Sequence, residues 1–510
     1  MKKPVIPGLS KSRYLHGLQC PKYLWLETWR KELKNEYDEP TEERLAQGDM
    51  VGAFARQLFP GGVEIPFEGL SSDEQLQQTQ QALQHSKVIY EATFSYQGVL
   101  VKADILRKVR GGWELYEVKS SGKQKDVHLH DLAVQYHVIS HAGLRITKAH
   151  LVHINTSYQR KGAVDPQQLF TIVNLTSDVQ ALQSAVAQQI VVFKEMLPGR
   201  EPDIPIGPYC YEPYECAFTG YCWKKVSEKG SVFELAGRGA DCYQLYHQGI
   251  TKLVDIPLDR VKGKQRQQVE AARKRQTIVH KEGLHTFLDR LWYPLCFLDF
   301  ETFMEAVPSY DGQRPYQQIP FQYSLHIQKK PGGRLYHHEY LAAPKKDPRK
   351  EFVSELLQVL PEDGCILVYY KPFEQGRLEE LGERFPRKNK QIQKLIGNMV
   401  DLLDPFKARH LYSWKQRGSH SLKAVLPAFV KDLSYDDLEI ADGGAAMQAY
   451  HEMGALVDSP RKLATLRKQL LTYCKQDTLA MVRLFDVMVC NVVMNSSCDT
   501  NKGDNYESII

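Results

Sequence analysis

The sequence predicts an α/β protein of more than one domain, on three observations. Its 510 residues exceed what one hydrophobic core usually organises. Stretches with the two-residue period of strands are followed by stretches with helical period in both halves of the chain. Acidic residues also recur inside strand-like runs at two distant places, Asp104 with Glu117 and Asp299 with Glu301. Burying such carboxylates without partners is very costly, so each pair calls for a chemical reason.

Hydrophobic residues make up 43% of the chain and charged residues 25%. No apolar run is long enough to span a bilayer, and Met1–Lys3 opens no signal-peptide pattern, so a cytoplasmic protein with no membrane partner is expected. The net charge of only +5 means that any surface for nucleic acid must be local. Arg260–Gln276 holds seven basic residues against one acidic, and reads first as a solvated helix face.

Three of the ten cysteines, Cys210, Cys216 and Cys222, are spaced with five residues between neighbours, in an aromatic loop after the helix-breaking LPGREPDIPIGP. Such crowding reads as metal ligation, with ordinary buried thiols as the alternative. A fourth ligand is expected from Cys20 rather than Cys242. Cys20 precedes Pro21 at a helix start, where amides and the helix dipole lower a thiol pKa. Four thiolates suit zinc and an iron–sulfur cluster equally.

Gly98–Gly122 reads as two strands joined at Arg110-Gly111-Gly112. Asp104 lies on the first, and Glu117 and Lys119 share one face of the second. Two carboxylates can hold Mg²⁺ while a lysine orients or activates water, as hydrolysis of a phosphodiester requires. The following helix carries Gln135 and Tyr136, which can reach back over that site.

Residues 10 to 226 resemble the RecB-like branch of the PD-(D/E)XK nucleases, particularly those with an iron–sulfur cluster clamping the start of the domain to its end. The resemblance implies a [4Fe–4S] cluster on Cys20, Cys210, Cys216 and Cys222. It also implies Asp104 and Glu117 as metal ligands, Lys119 as the catalytic lysine, and Gln135 with Tyr136 as the helical motif. One position departs from the pattern: Gly52 stands where many relatives place a metal-binding histidine.

Residues 227–291 turn helical and polar and read as a connector, with a helix, glycine turn and helix over Tyr243–Pro257. Beyond them, WYPLCFLDFETF is a strand whose Asp299 and Glu301 share a face, and two further strands of a meander follow. A later strand ends near Tyr370, before a helix that carries Glu374. The last long helix carries Tyr473 and Asp477, one turn apart on one face. Four carboxylates so placed suit two Mg²⁺ or Mn²⁺ ions stabilising both the attacking and the leaving oxygen, with the tyrosine positioning water.

That order of motifs, over roughly residues 292 to 490, resembles the DnaQ-like 3′–5′ exonucleases of the RNase H-like fold. Glu374 stands where the usual residue is aspartate. Asp401 and Asp404 are candidate supporting acids, and His420 and Lys423 candidate phosphate contacts.

Together the halves are similar to an uncharacterised bacterial family that fuses the two nuclease types. The resemblance implies a PD-(D/E)XK restriction-endonuclease-like core over 1–226 and an RNase H-like exonuclease core over 292–494, joined by the helical connector 227–291. Residues 495–510 are expected as a disordered tail. The function implied is hydrolysis of nucleic acid, with single-stranded DNA favoured and a helicase or other repair or defence protein as a possible partner. The alternative is a binding protein whose first half is an inactive clamp and whose second half alone cuts.

Overall fold

A computed structural model describes residues 8–36, 39–226 and 228–493. The expected tail at 495–510 lies outside the described residues. The architecture is mixed α/β, and the chain divides into two compact units. The first comprises residues 1–225 with a returning segment, Glu305–Gln317, and the second comprises Val226–Met304 and Gln318–Ile510. No described helix is long and apolar enough to cross a membrane.

In the first unit, seven strands form one sheet: β1 (Leu9–Ser10), β2 (Val63–Glu64), β3 (Val88–Tyr96), β4 (Val99–Val109), β5 (Gly112–Lys119), β6 (Ile146–Ile154) and β7 (Phe170–Asn174). Their order is β2-β3-β4-β5-β6-β7, with β1 added in parallel to β4. β4 and β5 are the expected hairpin, turned at Gly111 and Gly112, which both have positive φ. β5 then runs parallel to β6 through the Asp126–His141 helix, as a parallel pair needs a crossover. Side-chain alternation gives the sheet two apolar faces. Leu115 packs with Leu132 and Val138 of that helix, while Tyr116 faces Val51, Ala55 and the returning Ala306 and Val307.

In the second unit, β8 (Thr277–Val279) pairs with β14 (Leu411–Ser413). A five-stranded sheet joins β9 (Leu295–Phe303), β10 (Ile319–Gln328), β11 (Leu335–Leu341), β12 (Cys365–Val368) and β13 (Met399–Asp401). The first three are an antiparallel meander, and β12 and β13 add in parallel beside β9. β9 is buried on both faces. Leu295 and Phe297 pack against the Pro460–Val493 helix, whereas Cys296, Leu298 and Phe300 pack with the Arg349–Val359 and Lys371–Arg384 helices. By the same alternation, Asp299 and Glu301 fall on the long-helix side.

Of the expected connector 227–291, the described residues 228–291 carry more than a linker. Val232, Leu235, Leu245, Leu253, Ile256, Val261 and Val269 form a small core of their own. The basic stretch forms the Gly263–Lys274 helix. Val269 and Ala271 are buried on it, and Lys264 and Arg266 point outward.

Candidate functional sites

The second unit builds its site from the register of β10 against the long helix. Gln322 donates to the Leu470 carbonyl at 2.8 Å, and Thr478 meets Ser324 at 2.7 Å and His326 at 2.8 Å. Between those two fixed points lie Tyr473, Cys474 and Asp477, held over the Asp299 and Glu301 face of β9. Asp299, Glu301 and Cys474 each present a ligand atom, and the three atoms lie within 4.8 Å of one another. Glu374 enters from the first turn of the Lys371–Arg384 helix and is buried, and its Oε2 has no hydrogen-bond partner.

Electrostatics record the crowding. Burial, and then the charge of Asp477, hold the Asp299 carboxyl well above its usual range. Burial with Asp299, Asp477 and Glu374 does the same to Glu301, and burial with Asp299 to Glu374. Asp477 is pushed up to about 6 by burial, against the Tyr435 hydroxyl, which donates to it at 2.5 Å, and the Lys423 ammonium. Lys423 donates to the Tyr473 hydroxyl at 3.3 Å and sits over the Tyr473 and Tyr435 rings, 5.3 and 5.7 Å from their centroids. Four clustered acids thus face the Lys423 ammonium, with the Arg377 guanidinium acting on Glu374. The converging carboxylates and the unpartnered Glu374 oxygen suit divalent cations, with Asp299 and Glu301 as the central holders and Glu374 and Asp477 in the surrounding acid cluster.

Sequence reasoning missed Tyr435 and Cys474. Tyr435 is distant in sequence and gave no signal, but Cys474 is three residues from Asp477 on the same helix face, a spacing that was legible. Of the two candidate supporting acids, Asp401 accepts the Tyr370, Lys371 and Leu403 amides, each at 3.0 Å, fastening the turn at left-handed Tyr370, and its charge helps raise the Glu374 carboxyl. Asp404 opens the short Asp404–Ala408 helix amid the charges of Asp401, Arg290, Lys407 and Lys371, outside the acid cluster. The His420 carbonyl accepts the Tyr369 hydroxyl at 2.7 Å, and its neighbouring charges are Arg409, Lys264 and Lys407.

In the first unit, pairing of β4 with β5 runs only as far as Ile105 and Tyr116. Where it stops, Asp104 Oδ2 accepts the Val118 amide at 2.6 Å. Glu117 Oε1 accepts from Lys119 at 2.6 Å and from Lys11 at 2.9 Å, and its Oε2 accepts from Gln135 at 2.6 Å. Asp131, one turn before Gln135, pairs with both lysines. The side chains of Glu117 and Asp131 are 1% and 3% exposed, whereas those of Lys11 and Lys119 are 20% and 24% exposed. The acids therefore lie behind the cations. Burial alone would lower the Lys119 ammonium, but Asp131, Glu117 and Asp104 together hold it well above its usual value. Burial raises the Asp104 carboxyl.

Tyr136 is corrected: it turns away from this cluster, and its hydroxyl accepts from Gln180 at 3.3 Å. Lys11 and Asp131 were missed, the first because it reaches the site from the opposite end of the unit's sequence. Gly52 has open space around it, since a Cβ there would meet nothing within 4 Å. Four residues later Arg56 pairs with Glu91, which has a φ of 57° and lies across from Asp104 between the Tyr90–Ile105 and Ala92–Ala103 pairs. Both Glu117 oxygens are engaged, and the described residues of this unit bring no three carboxylate, imidazole or thiol ligand atoms within 4.8 Å of one another. In this arrangement Lys11, Lys119 and Gln135 occupy the carboxylate oxygens that the expected Mg²⁺ would use.

Cys20, Cys210, Cys216 and Cys222 line one small cavity with Tyr23, Leu26 and Phe218. Cys20 ends the Lys11–Gln19 helix and caps the Pro21–Trp29 helix. The Cys216 amide donates to the Cys210 carbonyl at 2.8 Å, closing the loop between them. The expected low thiol pKa at Cys20 is corrected: burial raises it, outweighing the helix-start amides of Tyr23 and Lys22. Cys216 is pushed up to about 12 by burial. No three of these sulfur atoms lie within 4.8 Å of one another, whereas tetrahedral zinc, with bonds of about 2.3 Å, brings its sulfurs to about 3.8 Å.

Comparison with known proteins places this chain beside others of unassigned role. Residues 296–421 match a family model described as "Domain of unknown function (DUF2779)". The "Uncharacterized protein MG366 homolog" of Mycoplasma pneumoniae is 26% identical over 205 residues, which is 37% of this chain and 31% of that protein. The "Uncharacterized protein MG366" of Mycoplasma genitalium is 24% identical over the same shares. The match thus spans about a third of the length of these curated relatives. A solved structure titled "Crystal structure of SSO0001" aligns at 14% identity and a TM-score of 0.23, over 43% of this chain and 87% of its own.

Proposed function

We propose that the chain is a metal-dependent nuclease whose second unit, an exonuclease core of RNase H-like type, removes nucleotides stepwise from 3′ ends, with single-stranded DNA the favoured substrate. The observation that carries this reading is the convergence of Asp299, Glu301, Glu374 and Asp477 in one buried cluster with a single ammonium beside it. When bound there, Mg²⁺ or Mn²⁺ ions would stabilise the attacking and leaving oxygens of an in-line displacement. Tyr473 lies beside the acids with its hydroxyl held by Lys423, which suits it to orient a water. Lys423 also offers a cation beside the acids that suits a phosphate contact.

The first unit is read as a PD-(D/E)XK core whose four cysteines hold a [4Fe–4S] cluster. All four cysteines line one small cavity, which supports their sharing one metal group, and a cluster there would tie the Lys11–Gln19 helix to the end of the unit. A second reading, that this half binds nucleic acid without cutting it, is favoured by Lys11 and Lys119, whose side chains are partly exposed while the acids they pair with are buried and already engaged. A helicase or another repair or defence protein would supply suitable ends.

The test is degradation of end-labelled single- and double-stranded DNA and RNA with Mg²⁺ or Mn²⁺. Asp299→Asn should abolish stepwise loss from 3′ ends and the metal-dependent rise in melting temperature together. An asparagine variant that still shortened 3′ ends would remove the exonuclease reading.

A further inference from the structure

We infer that Cys474 gives the second unit's acid cluster a sulfur ligand, so that one of its cation positions takes a borderline-soft divalent ion of the zinc class in preference to Mg²⁺. The inference rests on reading this cluster as a metal site and goes further by naming the ion.

Three observations carry it. Cys474 Sγ lies 3.8 Å from Asp299 Oδ2. Two ligands on one tetrahedral zinc, with bonds of about 2.3 Å to sulfur and about 2.1 Å to oxygen, stand about 3.6 Å apart. The pair therefore needs almost no movement to share an ion. Glu301 supplies a third atom within the same 4.8 Å span. Independently, the Glu374 Oε2 atom is buried without any hydrogen-bond partner, and Glu374 feels the Asp299 charge most strongly among its neighbours, so a further oxygen is available. Asp299 is the half-buried member of the set and gives the ion a way in from solvent, while Cys474 is fully buried behind it.

Ligand chemistry then decides the ion. Mg²⁺ takes near-octahedral oxygen and keeps its waters, and a sulfur in its coordination sphere is unfavourable. Thiolate with carboxylates suits Zn²⁺ and, in the same geometry, Co²⁺. On binding, the thiol proton leaves to solvent, a sulfur–metal bond forms, and no electron is transferred. A cysteine that merely filled space would make the same weak contact to the Asp299 carbonyl, 3.9 Å away, and would have no effect on ion choice.

The experiment is a Co²⁺ titration of the full chain after EDTA treatment, followed by displacement with Zn²⁺, on wild type and Cys474→Ser. The difference between the two isolates this position from thiols elsewhere in the chain. The expected result is a thiolate-to-cobalt charge-transfer absorption in the wild-type difference spectrum. Zn²⁺ binding should be weaker in Cys474→Ser by about tenfold or more, the lower end of what even an outer partner of a ligand contributes. Cys474→Ala, melted in EDTA, checks that the fold persists. No difference spectrum, with an Asp299-dependent rise in melting temperature by Mn²⁺ intact, overturns the sulfur ligand and leaves the exonuclease reading standing. If no divalent cation raises the melting temperature in an Asp299-dependent way, both fall.

Discussion

Replacing Asp477 by asparagine should stabilise the metal-free protein at neutral pH, although it removes a group placed at the centre of the site. The folded chain lifts this carboxyl from 3.8 to about 6, mainly through burial. That lift is worth about 3 kcal/mol at about 1.36 kcal/mol per pH unit. Because the folded state holds the proton more tightly than the unfolded chain, the contribution is fully present below about pH 3.8 and is lost as pH rises through about 6. At pH 5 the folded carboxyl is still about one unit below its pKa, so about 1.4 kcal/mol remains to be lost by pH 8. Asp299, Glu301 and Glu374 are raised in the same direction and steepen the trend. Asparagine cannot ionise, yet its Oδ1 can still accept the Tyr435 hydroxyl. Calorimetry in EDTA at pH 5 and pH 8 should therefore show the second unit's transition falling further in wild type than in Asp477→Asn, by roughly 3 to 6 °C. Saturating Mn²⁺ should close the gap by stabilising only the wild type. Equal pH dependence in the two proteins, or a variant less stable than wild type at pH 8, would refute the idea of a strained acid cluster.

Two other outcomes follow from the first unit. Lys11→Ala should weaken binding of single-stranded DNA measured in EDTA and lower the slope of log affinity against log salt by about one, as loss of one phosphate contact does, while Lys11→Arg keeps the slope. A slope unchanged in a folded Lys11→Ala protein would make Lys11 a purely internal partner of Glu117. Anaerobically purified protein should be brown and should lose visible absorbance with Cys20→Ser or Cys216→Ser, because thiolate-held iron absorbs there. A colourless protein with one zinc and no iron would replace the cluster while keeping the four cysteines as its holders.

Where the sequence was informative, the informative feature was local. Alternation put Asp299 and Glu301 on one strand face, and a helical turn put Tyr473 above Asp477, because these relations are set by backbone geometry within a few residues. The same logic misled at Tyr136. It follows Gln135 directly, and neighbours on a helix point about 100° apart, so only one of the two can face Glu117. Asp401 had the composition of a ligand, and only the fold shows its oxygens already taken by three amides. Nor could the chain announce that Glu305–Gln317 returns to the first unit, or that Lys11 arrives beside Glu117 from 106 residues away.

Those distant arrivals give the two acid clusters different charge partners. Read from sequence alone, Asp104 with Glu117 and Asp299 with Glu301 are equivalent pairs. In the folded chain, Lys11 and Lys119 both meet Glu117 and Asp131, so the buried charge of the first cluster is answered from within. The second cluster gathers Asp299, Glu301, Glu374 and Asp477 near Lys423, with Arg377 acting on Glu374, and buried acids short of counter-charge either hold a proton or recruit an ion. The difference is one of long-range charge balance.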